Sequence, residues 1–451
     1  MVVRSSVIRS LYKPILLATS TFITLIFIYT QTAPESGFTL SSFFGAAREI
    51  YTCPPEAYSN GSWILRPWTN RTVMTDREDA VEFSGFEGCA SSAEYFWHLA
   101  ADREEQWDRF PAAQSWRWEP NDKEQCRMPA FSGEAMVRDL VQNGGWLVLG
   151  DSVSENHFFS MSCSLYPHVT ATPDYTTDWY DRGHPQNLYL NPASPLVKRL
   201  KFPKGFDIAK TPLMTFRRVD LLFEESELVE LHRSLYNPPA DFQLFSDEAV
   251  WTLSPEYYLN ELLTRPLPEG NYGALVVSTA GHWTTTLFSG YRDESKDTTG
   301  YGIDGVIGFF GKAMEAWADR VQEAINDDKG VVLSTGKRKK RETIVRAYLP
   351  GHEDCHSHRA PWTEIEPFVW NWYNWGNIWE YNEIFTKLLS SAKYPNIHFV
   401  GIDRPARLRP DAHATGDCLH IMTGAGVMEG WTHYLWHFAS NEIGFRLRGS
   451  H

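Results

Sequence analysis

Residues 144–158 read GGWLVLGDSVSENHF. WLVL is an uninterrupted apolar run bounded by glycines, too short for a core helix and of the length of a strand buried on both faces of a parallel sheet. Gly-Asp-Ser follows it, and SENHFFSMSCSL then opens a helix that Asp151 or Ser152 caps. A strand that stops in this way puts Ser152 at its carboxyl end, where open parallel sheets gather functional groups and helix N-termini present free N–H groups. Upstream, FSGEAMVRDLVQNGG reads as an amphipathic helix with Ser132 as N-cap and Glu134 in its first turn, ended by Gly144-Gly145.

Working outward, three further apolar runs read as strands: YGALVVSTAGHW (272–283), TIVRAYLP (343–350) and NIHFVGID (396–403). Long helical patterns alternate with them, at 308–327 and 377–393. Alternation of this kind predicts an α/β sandwich with a mainly parallel sheet. Residues 51–131 carry three of the six cysteines and few periodic runs, which predicts a loop-rich, disulfide-stapled subdomain ahead of a catalytic domain at 132–451.

The amino terminus sets the expected compartment. Arg4, Arg9 and Lys13 precede an apolar stretch at 15–30, and no charge falls between Lys13 and Glu35. This pattern predicts a cytoplasmic tail (1–13), a single transmembrane signal anchor (14–30), a stem (31–50) and a luminal remainder in the Golgi or another secretory membrane; a cleaved signal peptide is the competing reading. The sequons at Asn60 and Asn70 agree with luminal exposure. So do Cys53, Cys89, Cys126, Cys163, Cys355 and Cys418, an even number without metal-type spacing, for which up to three disulfides are expected in a pairing the sequence leaves open.

Composition narrows the partners. The formal net charge is -14, from 42 Lys+Arg against 56 Asp+Glu, which disfavours nucleic acid. Aromatics reach 14% with 18 Trp, and indole faces stack on the C–H faces of sugars, so a carbohydrate ligand fits. The basic run KRKKR at 337–341 reads as a solvated loop, and HEDCHSH at 352–358 as a disulfide segment rather than a metal site.

A nucleophilic serine needs a base, and the base an orienting carboxylate. Near the carboxyl terminus, DCLH sets Asp417 and His420 three residues apart, so that Asp417 can take the hydrogen bond of one ring nitrogen while the other receives the serine proton. Asp411 and His413 of RPDAH are the rival pair. In STAGHW, the Gly281 N–H and the Thr279 hydroxyl are candidate oxyanion donors, with His282 and Trp283 as pocket walls.

These segments, in order, resemble the trichome-birefringence-like polysaccharide O-acetyltransferases and the wider PC-esterase group of the SGNH/GDSL hydrolase superfamily: Cys53 with Gly61-Ser62-Trp63, WRWEPNDKEQCRMPAFSGE (116–134), GDSVSEN (150–156), GHW (281–283), and RPDAH followed by DCLH. The resemblance implies an SGNH-like three-layer fold in a type II membrane enzyme. Ser152 would be nucleophile, Asp417 orienter and His420 base. Acyl, in the first instance acetyl, transfer to a cell-wall or cell-surface glycan is the expected activity. No bound cofactor is expected; the acyl donor, acetyl-CoA or a relayed acetyl group, is a co-substrate. The same triad with water as acceptor is an esterase, and a catalytically silent glycan-binding protein is a further alternative. The chain departs from the plant pattern at Glu155, where arginine is usual, and at Thr279-Ala280, where the plant pattern has Asn-Thr; Asn156 is then a replacement candidate for the oxyanion donor.

Overall fold

The strand at the centre of the molecule is β1 (Gly145–Gly150), every residue of which is buried. A strand can be apolar throughout only when both of its faces are covered. In the computed structural model, which describes residues 51–177, 183–366 and 370–444, β1 lies between parallel neighbours on both sides. It is preceded by α1 (Gly133–Asn143), where the Ser132 hydroxyl accepts the Ala135 N–H at 3.2 Å. It is followed at once by α2 (Ser152–Ser164), where the Asp151 carboxylate accepts the Val153 N–H at 3.0 Å. A Cβ on Gly150 would sit 2.3 Å from the Ser154 hydroxyl and 2.6 Å from the Ser278 carbonyl, so the turn between strand and helix closes only on glycine.

Six more strands complete the sheet: β2 (Val169–Thr172), β3 (Gln186–Leu190), β4 (Pro212–Arg218), β5 (Tyr272–Ser278), β6 (Glu342–Arg346) and β7 (Ile397–Val400). Their order is β7-β6-β5-β1-β4-β3-β2, with β7, β6, β5, β1 and β4 parallel and β3 antiparallel to both β4 and β2. The chain leaves β1 in one direction toward β2, returns to β4, then crosses to β5 and builds outward the other way. The switch point is therefore β1, and crossovers of one hand that leave it in opposite directions place their helices on opposite faces of a sheet. The helices form two groups accordingly. On α1 and α2 packs α6 (Val427–His437), through Trp436 to Asp139 (3.2 Å) and Ser160 to Glu429 (2.5 Å). The other group is α3 (Glu225–Tyr236), α4 (Ile303–Asp327) and α5 (Ile378–Leu389), joined by Arg320–Glu227 (2.7 Å) and the Phe310–Tyr381 ring contact (4.8 Å).

Residues 51–131 are woven into this body, and 51 onward forms one compact unit. A short hairpin pairs Gly61–Leu65 with Trp116–Pro120, the Trp63 indole N–H donates to the Pro405 carbonyl (3.0 Å), and the Tyr434 hydroxyl donates to the Cys53 carbonyl (2.7 Å). Three disulfides form: Cys53–Cys126 closes the segment on itself, Cys89–Cys163 fastens it to α2, and Cys355–Cys418 spans the carboxyl-terminal loops. Of the basic run, residues 337–340 are exposed, while Arg341 is buried, donating to the Tyr272 carbonyl and pairing with Asp328. Asn60 and Asn70 are exposed. Among the described residues no helix is long and apolar enough to cross a membrane. The expected tail, anchor and stem at 1–50 lie outside the described residues.

Candidate active site

At the carboxyl end of β1 the Ser152 hydroxyl donates to His420 Nε2 at 2.8 Å, and His420 Nδ1–H donates to Asp417 Oδ2 at 2.7 Å. The other carboxylate oxygen, Asp417 Oδ1, accepts the backbone N–H groups of Leu419 (2.9 Å) and His420 (2.8 Å). The short D-x-x-H turn thus locks the carboxylate by its own backbone while aiming it at the imidazole. Burial alone would raise the Asp417 carboxyl, but the facing His420 charge and these hydrogen bonds outweigh it and hold it well below the usual carboxylate range. Burial opposes charging of His420, yet Asp417 prevails and raises the imidazole above its ordinary value. Ser152 is the first residue of α2, so its N–H has no carbonyl of its own helix to reach and remains available to an anion beside the hydroxyl.

The loop that delivers Asp417 and His420 is pinned from several directions. Ala414 N–H donates to the His420 carbonyl (2.8 Å), Met422 N–H to Ala412 (2.8 Å) and Thr423 N–H to His98 (2.7 Å). Cys418, one half of the Cys355–Cys418 disulfide, lies between the two site residues in sequence. Asp411 and His413, the rival pair, are part of this support. Arg409 grips Asp411 with two bonds of 2.8 and 3.0 Å, and His413 spans the His420 carbonyl (3.1 Å) and His352 Nδ1 (2.7 Å). Burial drives His413 far below the usual imidazole value and pushes His352 down to about 4.

The residues expected around an oxyanion divide. Gly281 packs so closely on the site that a Cβ there would lie 2.2 Å from the Tyr348 hydroxyl and 3.1 Å from Asp151 Oδ2. That space is needed because Tyr348 donates to Asp151 Oδ2 at 2.7 Å, and burial raises the pKa of both groups. His282 is partly exposed, with Nε2 at 3.9 Å from the buried Asp220 carboxylate. The Thr279 hydroxyl is spent on the Asp220 carbonyl (2.8 Å), and Trp283 is fully buried, stacked on Phe288 at 4.7 Å in the core rather than at the cleft. Asn156 is fully buried: its carbonyl accepts the Ile421 N–H (3.2 Å) and its amide donates to His98 Nδ1 (3.0 Å), so it braces the residue after His420. Glu155, also buried, accepts from Gln186 at 2.5 Å.

An open cleft of about 730 Å³ exposes Ser152, Asp417 and His420. Its far wall comes from EYFWH (94–98), with Trp97 set edge-on to His420 at 5.2 Å between ring centroids. Sequence reasoning left that wall out, along with Tyr348 and the Arg218–Asp220 pair (2.9 Å) beside β1, because no spacing rule links them to Ser152. A larger cavity, about 960 Å³, includes Asn271 and Arg341, which precede β5 and β6, at the opposite end of the sheet. Cys355, His356 and Cys418 cluster as metal ligands would, but their two sulfurs are bonded to each other and offer no thiolate.

No family model matches the sequence. Among characterised proteins the chain is 22% identical over 356 residues to "Protein trichome birefringence-like 9" of Arabidopsis thaliana, 71% of each chain. It is also 37% identical over 51 residues to "Protein trichome birefringence-like 23" of the same plant, 11% of each. Along most of its length the chain is thus similar, at low identity, to a trichome birefringence-like protein.

Proposed function

We propose that this chain is an O-acyltransferase of the SGNH/GDSL type that moves an acyl group, an acetyl in the simplest case, onto a hydroxyl of a cell-wall or cell-surface glycan. The carrying observation is the unbroken run of hydrogen bonds Asp417–His420–Ser152 at the switch-point end of β1. Ser152 Oγ attacks the donor carbonyl carbon as its proton passes to His420 Nε2, and Asp417 stabilises the resulting imidazolium. The oxyanion that forms faces the Ser152 N–H, with the Gly281 N–H as second donor. His420 returns its proton to the leaving group, which departs and leaves acyl-Ser152. A sugar hydroxyl then attacks that ester, gives its proton to His420, and the proton goes back to Ser152. The donor is acetyl-CoA or a relayed acetyl group, and no step requires a bound metal or cofactor.

Three disulfides and two exposed sequons support a secretory compartment, with the domain luminal behind the amino-terminal anchor. Helices on both faces of the sheet and Ser152 at the end of its first parallel strand support the SGNH-like sandwich.

The test incubates purified full-length chain with p-nitrophenyl acetate and a neutral oligosaccharide, following acetyl on the Ser152 peptide and on the sugar by mass spectrometry. Acetyl should appear on both and vanish in Ser152→Ala. Faster loss of ester from a pre-acetylated glycan than gain on the free one assigns a hydrolase. Glycan acetylation that survives Ser152→Ala removes the serine from the chemistry.

A further inference from the structure

The segment NWYNWGNIW (371–379) leaves Trp372 55% and Trp379 46% exposed; among the other described tryptophans Trp68 alone is as open (57%), and the Arg117 guanidinium lies over its ring at 4.0 Å. It runs from the end of the connection after β6 into the first turn of α5, where Trp379 sits, and it faces the connection between β5 and α4. Both follow the carboxyl ends of parallel strands, the rim that also carries Ser152. In the hydrogen-bonding direction β6 is two strands from β1, roughly 10 Å.

The display is built, not left over. Tyr373 (φ 51°) and Asn374 (φ 52°) are consecutive left-handed residues, a conformation unfavourable for a tyrosine. The buried Asn374 side chain holds it: Oδ1 accepts the Thr285 N–H (2.9 Å) and hydroxyl (3.1 Å), and Nδ2 donates to the Gly300 carbonyl (2.9 Å). Trp370 and Trp375 back the exposed Trp372 ring at 5.6 and 5.0 Å between centroids. Trp379 stands between two cavities of about 320 and 260 Å³. Their charges are acidic: Asp304 and Glu380 line the first, Glu366 and Asp403 the second, and among the described lining residues the one cation, Arg407, is paired with Asp403 at 3.7 Å.

Flat, rigid indoles beside carboxylates and amides suit a ligand with apolar C–H faces and many hydroxyls, while the acidic lining repels a polyanion. We infer that Trp372 and Trp379 form a docking platform, separate from the triad, for a neutral polysaccharide chain whose acceptor hydroxyl is presented to Ser152 further along the same rim. This rests on the reading of the chain as acting on glycans, and it commits that reading to uncharged polymers.

The experiment is affinity electrophoresis of the full-length chain in gels containing galactomannan, hydroxyethyl cellulose or polygalacturonate, with p-nitrophenyl acetate turnover measured on the same preparations. The two neutral polymers should retard the protein and polygalacturonate should not. Trp372→Ala and Trp379→Ala should each weaken retardation about five- to tenfold. Trp372→Leu and Trp379→Leu, which keep apolar bulk but lose the flat face, should do the same. Turnover of the small ester should stay at the parent level in all four, which also attests folding, and Ser152→Ala should bind as the parent does. Trp variants retarded like the parent, or equal retardation by polygalacturonate, would overturn the platform. Loss of Ser152 acylation with Trp-dependent retardation intact would instead refute the catalytic reading alone.

Discussion

Replacing Asp417 by Asn tests the site at its most quantitative point. The substitution keeps an oxygen for the Leu419 and His420 backbone N–H groups, which bond Oδ1 at 2.9 and 2.8 Å, so the turn should survive. What changes is the atom facing His420 Nδ1 at 2.7 Å, from a carboxylate oxygen to an amide N–H. Two donors cannot face each other, so the imidazole must put its proton on Nε2, toward Ser152, where it can no longer accept the serine proton. The carboxylate charge is also lost: opposite charges ~4 Å apart attract by about 4 kcal/mol at an effective dielectric of about 20. Removing that from an imidazolium present only in the transition state slows the reaction about a thousandfold. The wrong tautomer takes the expected loss toward about ten-thousandfold. The assay is p-nitrophenolate release from p-nitrophenyl acetate across pH. In the parent the rate should climb with pH through the raised pKa of His420, since only the neutral ring is a base; in Asp417→Asn that limb should move to lower pH. A variant within tenfold of the parent, with its pH limb unmoved, would refute the assignment of Asp417 as orienter.

Other consequences are as direct. Gly281→Ala drives a methyl against the Tyr348 hydroxyl and should break its bond to buried Asp151, costing about 2–4 kcal/mol in urea unfolding; Gly281→Ala with Tyr348→Phe should recover part of this, and an unchanged midpoint in the single variant would disprove the contact. Replacing Cys355 and Cys418 by Ser opens a loop of 63 residues and should lower stability by up to about 4 kcal/mol. Turnover by the folded fraction of that variant should also fall; parent-level turnover would show that the bridge does not hold the Asp417 turn. The Asp417–His420 pair makes stability depend on pH in two directions. The lowered carboxyl contributes above its ordinary value of 3.8 and loses this as pH falls through its folded value, whereas the raised imidazole contributes below its ordinary 6.5 and loses this as pH rises through its folded value. The stability difference between parent and Asp417→Asn should therefore peak between those two values, and a difference flat with pH would contradict the ion pair.

Much of the molecule is written in short stretches of chain. The apolar run of β1, the Ser132 and Asp151 caps, the glycines that close the turns, and the 3.6-residue patterns of α4 and α5 are local, and each specifies its element without help. The strand β4, PLMTFRR, escaped that reading because its two arginines interrupt the apolar pattern; Arg218 is buried only because Asp220 and the Trp251 ring (4.0 Å) meet it there. The D-x-x-H spacing likewise specifies its own turn. Asn156 and Thr279 read equally well as donors into the site, and only their actual neighbours, the Ile421 N–H and the Asp220 carbonyl, give them bracing duties instead.

The sequence by itself therefore determined the α/β alternation, the position of Ser152 at the end of a strand, and the pairing of Asp417 with His420, because these depend on backbone geometry within a few residues. Tertiary structure alone decided that His420 reaches Ser152 across 268 positions of chain, which cysteines join, and that Trp97 rather than Trp283 walls the cleft. Those outcomes are set by packing among distant segments, whose contact energies exist only once the sheet has brought them together, so no local pattern encodes them.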